Sequence, residues 1–130
     1  MLFRSLGQSL DTLAQAQVML GELDEARTCW LEASQQWVDT NWELAGYVFG
    51  LGLVAGLEGE SETALRLHFM AVRLLSDLNM TYADPIAAQE AELMTRLATE
   101  LGQEVVARLQ SESAALEPEV LLRQARSEVT

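Results

Sequence analysis

One spacing recurs three times along this chain and limits what it can fold into: a glycine, an alanine five residues later, and a second alanine seven residues after that. The sets are Gly21-Ala26-Ala33, Gly59-Ala64-Ala71 and Gly102-Ala107-Ala114. Each glycine closes an apolar pattern of helical period and opens another. Glycine takes the left-handed backbone that ends a helix at little cost. Polar and acidic residues follow it, as Glu22-Leu23-Asp24-Glu25, Glu60-Ser61-Glu62 and Gln103-Glu104. Acids there complement the dipole at the start of a helix. The first alanine lets two antiparallel helices approach closely, and the second lies two turns on along the same face. Ala, Leu, Gln, Glu and Arg dominate and strand formers never alternate for long, so helices are favoured over sheet.

This pattern predicts six main helices over roughly 5–20, 22–38, 41–57, 60–79, 84–101 and 103–115, with a last turn or two over about 118–127. Asp39-Thr40-Asn41 reads as a break that caps the third helix. The longest connection runs from Asn79 to Pro85, where Asp84 suits an N-cap and Pro85 a first helical position. Glu117-Pro118-Glu119 repeats the device for the tail. No low-complexity linker divides the chain, so residues 1–130 are expected to form one domain. Its helix pairs are expected at about 5–38, 41–79 and 84–115.

These residues resemble tetratricopeptide repeats, whose second helices open with Gly-x-x-x-x-Ala, then a bulky residue, then a second alanine. Gly21, Ala26, Trp30 and Ala33 fill all four places. Gly59, Ala64 and Ala71 fill three, with His68 at the bulky place, and Gly102, Ala107 and Ala114 fill three, with Ser111 there. In the first helices Leu10, Leu13, Ala14, Leu51 and Gly52 fit, and the usual tyrosine is absent. The alanines Ala26, Ala64 and Ala107 stand 38 and 43 positions apart, against about 34 in a regular repeat. The resemblance implies an all-α fold of three antiparallel helix pairs in a short right-handed solenoid, closed by a short C-terminal helix. Residues 42–125 are also similar to the last repeats of large bacterial regulators that join a signal-transduction ATPase to a helical array and often a LuxR-type DNA-binding domain. The runs that carry this likeness are WELAGYVFGLGLVAGLEGESETALRLHFMAVRLLSDLNM and the Pro85-opened helix with Leu-Gly-x-Glu and a later Leu-x-Pro-Glu. The ATPase and DNA-binding parts have no counterpart in these residues, and neither activity carries over.

Charge and chemistry narrow the function. Eight basic against twenty acidic residues leave a formal charge of −12, which repels nucleic-acid phosphates. Cys29 is the only cysteine, so no internal disulfide or cysteine zinc site forms. The N-terminal residues lack the apolar run of a signal peptide. The longest uncharged apolar run, Leu44 to Leu57, is shorter than the roughly 20 residues that span a bilayer, and a cytoplasmic protein is expected. Gly46, Gly50, Gly52, Gly56 and Gly59 look glycine-rich but no Gly-Lys-Ser/Thr follows. They read as small residues for close helix packing. His68, the only histidine, and Cys29 fall at and beside the bulky repeat place, which assigns them packing roles rather than a nucleophile–base pair. Asp24/Glu25, Glu58/Glu60/Glu62 and Glu90/Glu92 read as capping and solvated acids. No catalytic, cofactor or metal constellation is assembled, and no enzyme is expected. Trp30, Trp37 and Trp42 gather at the first junction between pairs, as a packed hinge or a partner anchor.

Binding to a protein or peptide is therefore expected, on the concave face that first helices line in a stacked solenoid. The repeat register places Gln8, Asp11, Gln15, Val18 and Met19 there in the first pair, Phe49, Leu53 and Leu57 in the second, and Gln89, Glu92, Arg96 and Thr99 in the third. An exposed strip as apolar as the middle one marks an interface. It could equally be covered by the tail, the first helix or another copy. Raw repeat ends favour a homo-oligomer. The leading expectation is the sensor or scaffold repeat portion of a bacterial regulator. The alternatives are a structural homodimerisation unit and a small-molecule-sensing helical pocket.

Overall fold

The computed structural model describes residues 2–35, 41–77, 85–115 and 120. Its ordered elements are six α-helices: α1 Leu2–Met19, α2 Leu23–Gln35, α3 Asn41–Leu57, α4 Ser61–Asp77, α5 Pro85–Leu101 and α6 Gln103–Ala114. The fold is all-α, and no strand occurs among the described residues. Boundaries follow the sequence pattern closely. The exception is α1, which starts at Leu2 rather than near residue 5, because nothing in Leu2-Phe3-Arg4-Ser5-Leu6 breaks a helix. Pro85 opens α5 as expected. The proposed cap at Asp84, the tail at 118–127 apart from helical Val120, Trp37, and the side chains of Trp42 and Gln8 lie outside the described residues.

The three predicted glycines all have positive φ, at 79°, 86° and 93° for Gly21, Gly59 and Gly102. The first two close α1 and α3 in the same way. Glu22 N–H donates to the Gln17 carbonyl (2.8 Å) and Gly21 N–H to Val18 (3.1 Å). Glu60 N–H donates to Ala55 (2.9 Å) and Gly59 N–H to Gly56 (3.2 Å). These six-to-one and five-to-two bonds satisfy carbonyls the helix ends leave over. Gly102 is a tighter joint. It alone separates α5 from α6, and its N–H bonds back to Ala98 at 3.0 Å.

α3 is the centre of the molecule. It packs against α4, α2 and α5, and touches α1. Every residue from Leu44 to Gly56 is buried, because the run has no polar face to turn outward. Two of its glycines make contacts that a side chain would forbid. A Cβ on Gly50 would fall 2.3 Å from the Trp30 ring, and one on Gly56 2.7 Å from Leu93 Cδ2. The expected role of these glycines in close helix packing is what the geometry shows. Trp30 is 0% exposed, and its Nε1–H donates to Asp11 Oδ1 at 2.7 Å, tying α2 to α1. Gln15 Nε2 donates to the other oxygen of the same carboxylate at 3.0 Å. Around this centre Ala26, Ala33, Ala64 and Ala71 are each fully buried, as two of the three spacing sets require.

The third set behaves differently. Ala107 and Ala114 are exposed, so they do not hold two helices close. The reason is that α6 packs more on α4 than on α5. Polar contacts line that seam. Glu62 meets Arg108 (3.0 Å), Arg66 meets Glu112 (3.6 Å), and Arg73 Nη1 donates to the Ser113 and Ala114 carbonyls at 3.2 and 2.8 Å. Successive contacts advance together along both chains, so α4 and α6 run parallel. Arg73 also places a cation at the negative end of the α6 dipole.

Candidate functional site

Because α6 leans onto α4, a crevice of 710 Å³ opens between α5 and α6. Thr95, Ala98, Thr99 and Gly102 line one side, and Gln103, Val106, Ala107 and Gln110 the other. On both helices these positions fall at three- and four-residue steps, hence on one stripe of each. The floor is small and apolar and the walls carry hydroxyls and amides, with no charged group among the lining. Thr95 Oγ1 and Thr99 Oγ1 donate to the Ala91 and Thr95 carbonyls, each at 3.0 Å.

The structure divides the face expected from the repeat register. Val18, Phe49 and Leu53 are buried, so they cannot belong to an open surface. The apolar strip on α3 is covered from within the chain, since α5 lies across it. Leu57 is 42% exposed and Met19 85%, but both sit at helix ends beside the glycine turns. Asp11 and Gln15 are half-buried around the Trp30 indole. Gln89, Glu92, Arg96 and Thr99 are exposed on α5, and only Thr99 reaches the crevice. Sequence reasoning missed the other seven lining residues. The signal was present: Thr95, Ala98 and Gly102 run into Gln103, Val106 and Gln110 as a second stripe of uncharged residues.

Glu90 also departs from its expected solvated role. It is 0% exposed, and both carboxylate oxygens lie 2.8 Å from His68 Nδ1 on α4. Burial pushes its carboxyl above the ordinary range, and the hydrogen bond and charge of His68 pull it partly back. Ala87, Leu93, Met94 and Leu97 are buried on the same helix. Glu90 shares their stripe by three- and four-residue steps, which is why it points inward. Its Oε2 would stand 3.5 Å from a Cβ on Gly52, an ordinary contact, so Glu90 lies directly against α3. His68 sits with its ring centroid 6.0 Å from Phe49 and 5.5 Å from Phe69. It therefore packs, as its repeat position implies, and also orients a carboxylate.

Cys29 is buried in α2, and burial followed by the nearby Glu32 raises its pKa, which keeps the thiol protonated. Among the described residues no group of three or more His, Cys, Asp and Glu could hold a metal ion. No helix is long and apolar enough to cross a membrane, again among the described residues. Neither a known family, nor a characterised protein, nor a solved structure matches this chain.

Proposed function

We propose that this chain is a tetratricopeptide-like interaction module, three antiparallel helix pairs in a short right-handed solenoid, that binds another protein and catalyses nothing. The observation that carries the reading is the open α5–α6 crevice. α3 lies against α1 and α2, and α5 lies against α3 and α4. Each of the first two pairs thus receives the helix that follows it, while none of the described residues fills the channel between α5 and α6. A channel with an apolar floor and hydrogen-bonding walls suits a protein segment. The likeness of the sequence to the repeat arrays of bacterial regulators supports a sensor or scaffold role in the cytoplasm.

The test is capture from an extract of the source cell by immobilised wild-type chain and by Ala107→Trp. The exposed Ala107 tolerates a large side chain without disturbing the core, and the indole fills the crevice mouth. Bound proteins retained by the wild type and lost from the variant support the reading. Equal capture by both removes it.

A second reading, self-association, is favoured by one observation. Met19, Leu20 and Leu57 are 85%, 73% and 42% exposed beside the first two glycine turns. Glu58 in the second turn pairs with Arg27 near the start of α2, which brings those turns together. Light scattering at high concentration that shows only monomer counts against this reading.

A further inference from the structure

We infer that the α5–α6 crevice receives an amphipathic α-helix with a basic outer face, presented by another protein. This rests on the proposed binding role and adds the kind of partner. Three features carry it, the first being shape. Thr95, Ala98, Thr99 and Gly102 on the α5 side and Val106 and Ala107 on the α6 side are small residues set between the longer amides of Gln103 and Gln110, and small residues let a third helix axis come within about 8–10 Å. The lining runs from Gln103 to Gln110 on α6, a channel about 11 Å long, which is about two turns of an incoming helix. An extended strand finds less here, because helices keep their backbone donors and acceptors to themselves and offer no edge.

The second feature is charge. The lining is neutral, but Glu92 and Glu100 on α5 and Glu104 on α6 are exposed beside it, against Arg96 alone on α5. Arg108 of α6 is engaged by Glu62 and Glu112 at 3.0 and 3.7 Å. The flanks are therefore net acidic, and the whole chain carries −12. The third feature is what that charge does to the alternatives. A second copy seated in this crevice would set its own acidic flank against the same acids, whereas a basic helix is drawn in and its cations meet them.

The probe is a synthetic helix of about 18 residues, long enough to hold helical structure. It carries Ala and Leu at i, i+3, i+4 and i+7 and Lys elsewhere. Its twin has Glu at every Lys position. Anisotropy against the full chain is expected to show the Lys peptide binding at least about tenfold more tightly than the twin, with the gap closing as salt is raised. Thr99→Trp and Ala107→Trp, both at exposed positions, are expected to weaken it by a similar factor while helical circular dichroism stays unchanged. If the two peptides bind equally, or if neither variant weakens the Lys peptide, the inference is overturned. Sedimentation showing a dimer that Ala107→Trp dissociates assigns the crevice to a second copy and also overturns it. The extract capture keeps the two ideas apart. Capture that Ala107→Trp abolishes, without preference for the basic helix, sinks the partner class alone. Capture indifferent to the variant sinks the binding role as well.

Discussion

The second and third helix pairs carry the same glycine–alanine–alanine spacing and end in different states. In α3 and α4 the two alanines are fully buried, and α3 has no exposed side from Leu44 to Gly56. In α5 and α6 the two alanines face solvent and a 710 Å³ crevice separates the helices. A small residue permits close approach; it does not enforce it. What decides is the remaining surface of each helix. α3 is apolar all round and is enclosed by α2, α4 and α5. α6 lies on α4, where Glu62, Arg66 and Arg73 contact it, and a crevice remains on its α5 side. The second pair is therefore sealed by packing and the third is not.

The sharpest way to break that contrast is to add one methyl group to the sealed pair. Gly50→Ala places a Cβ 2.3 Å from Cε2 of Trp30. The ring cannot step aside easily, since it is fully buried and its Nε1–H is held by Asp11. Alanine gains up to about 1 kcal/mol of helix propensity, but overpacking against a fixed ring costs about 1–3 kcal/mol or more. A net loss of about 2 kcal/mol is expected by urea unfolding. Gly56→Ala is the comparison. Its Cβ meets the far end of Leu93 at 2.7 Å, which can rotate away, so the loss is expected to stay under about 1 kcal/mol. Equal losses at the two positions would show that the Trp30 wedge does not set the α2–α3 packing.

Much of this architecture was legible from spacing. All three glycines predicted as turns have positive φ, because that backbone is a local demand a single residue answers. The close packing of Gly50 and Gly56 followed from small residues on a continuous apolar run. The expected binding face was less legible. Phe49 and Leu53 occupy positions that a regular array would leave on its surface, yet both are buried in a helix packed against α2, α4 and α5. Coverage depends on how far a later helix leans, which periodicity does not encode. Glu90 shows the same limit. Acids on helices are usually solvated, and only its register with Ala87, Leu93 and Leu97 marks it as buried.

Glu90 allows a smaller and more specific comparison, between one buried carboxylate and the solvated acids. Its carboxyl is held above the ordinary value of 4.5 by burial, with His68 opposing. The folded chain therefore keeps a proton that the unfolded chain has lost. Its share of stability is fullest below pH 4.5 and falls as pH rises through the folded value. Gly52 of α3 and His68 of α4 are the neighbours that face it, and His68 alone among them can carry charge. Glu90→Gln removes the titration while retaining an acceptor for His68. Urea midpoints of the wild type should fall from pH 4.5 upward relative to those of Glu90→Gln. Parallel midpoints across the range would mean that the carboxyl titrates as an ordinary one.

The smallest effect is expected at the open end, where the contrast is most easily lost. Ala107→Leu adds bulk to the crevice wall at an exposed position. No neighbour must move, so stability should change by no more than about 0.5 kcal/mol. The same substitution at Ala64, which is 0% exposed between α3 and α4, should cost about 1–3 kcal/mol through overpacking. The two alanines hold the same place in the repeat spacing, so the sequence alone gives no reason for them to differ. If Ala107→Leu proves as harmful as Ala64→Leu, α5 and α6 are as tightly joined in solution as α3 and α4, and the crevice is not a standing feature of the fold. If it is neutral, the crevice stands without support from its wall, and any loss of binding in the same variant reflects the filled crevice and not the fold.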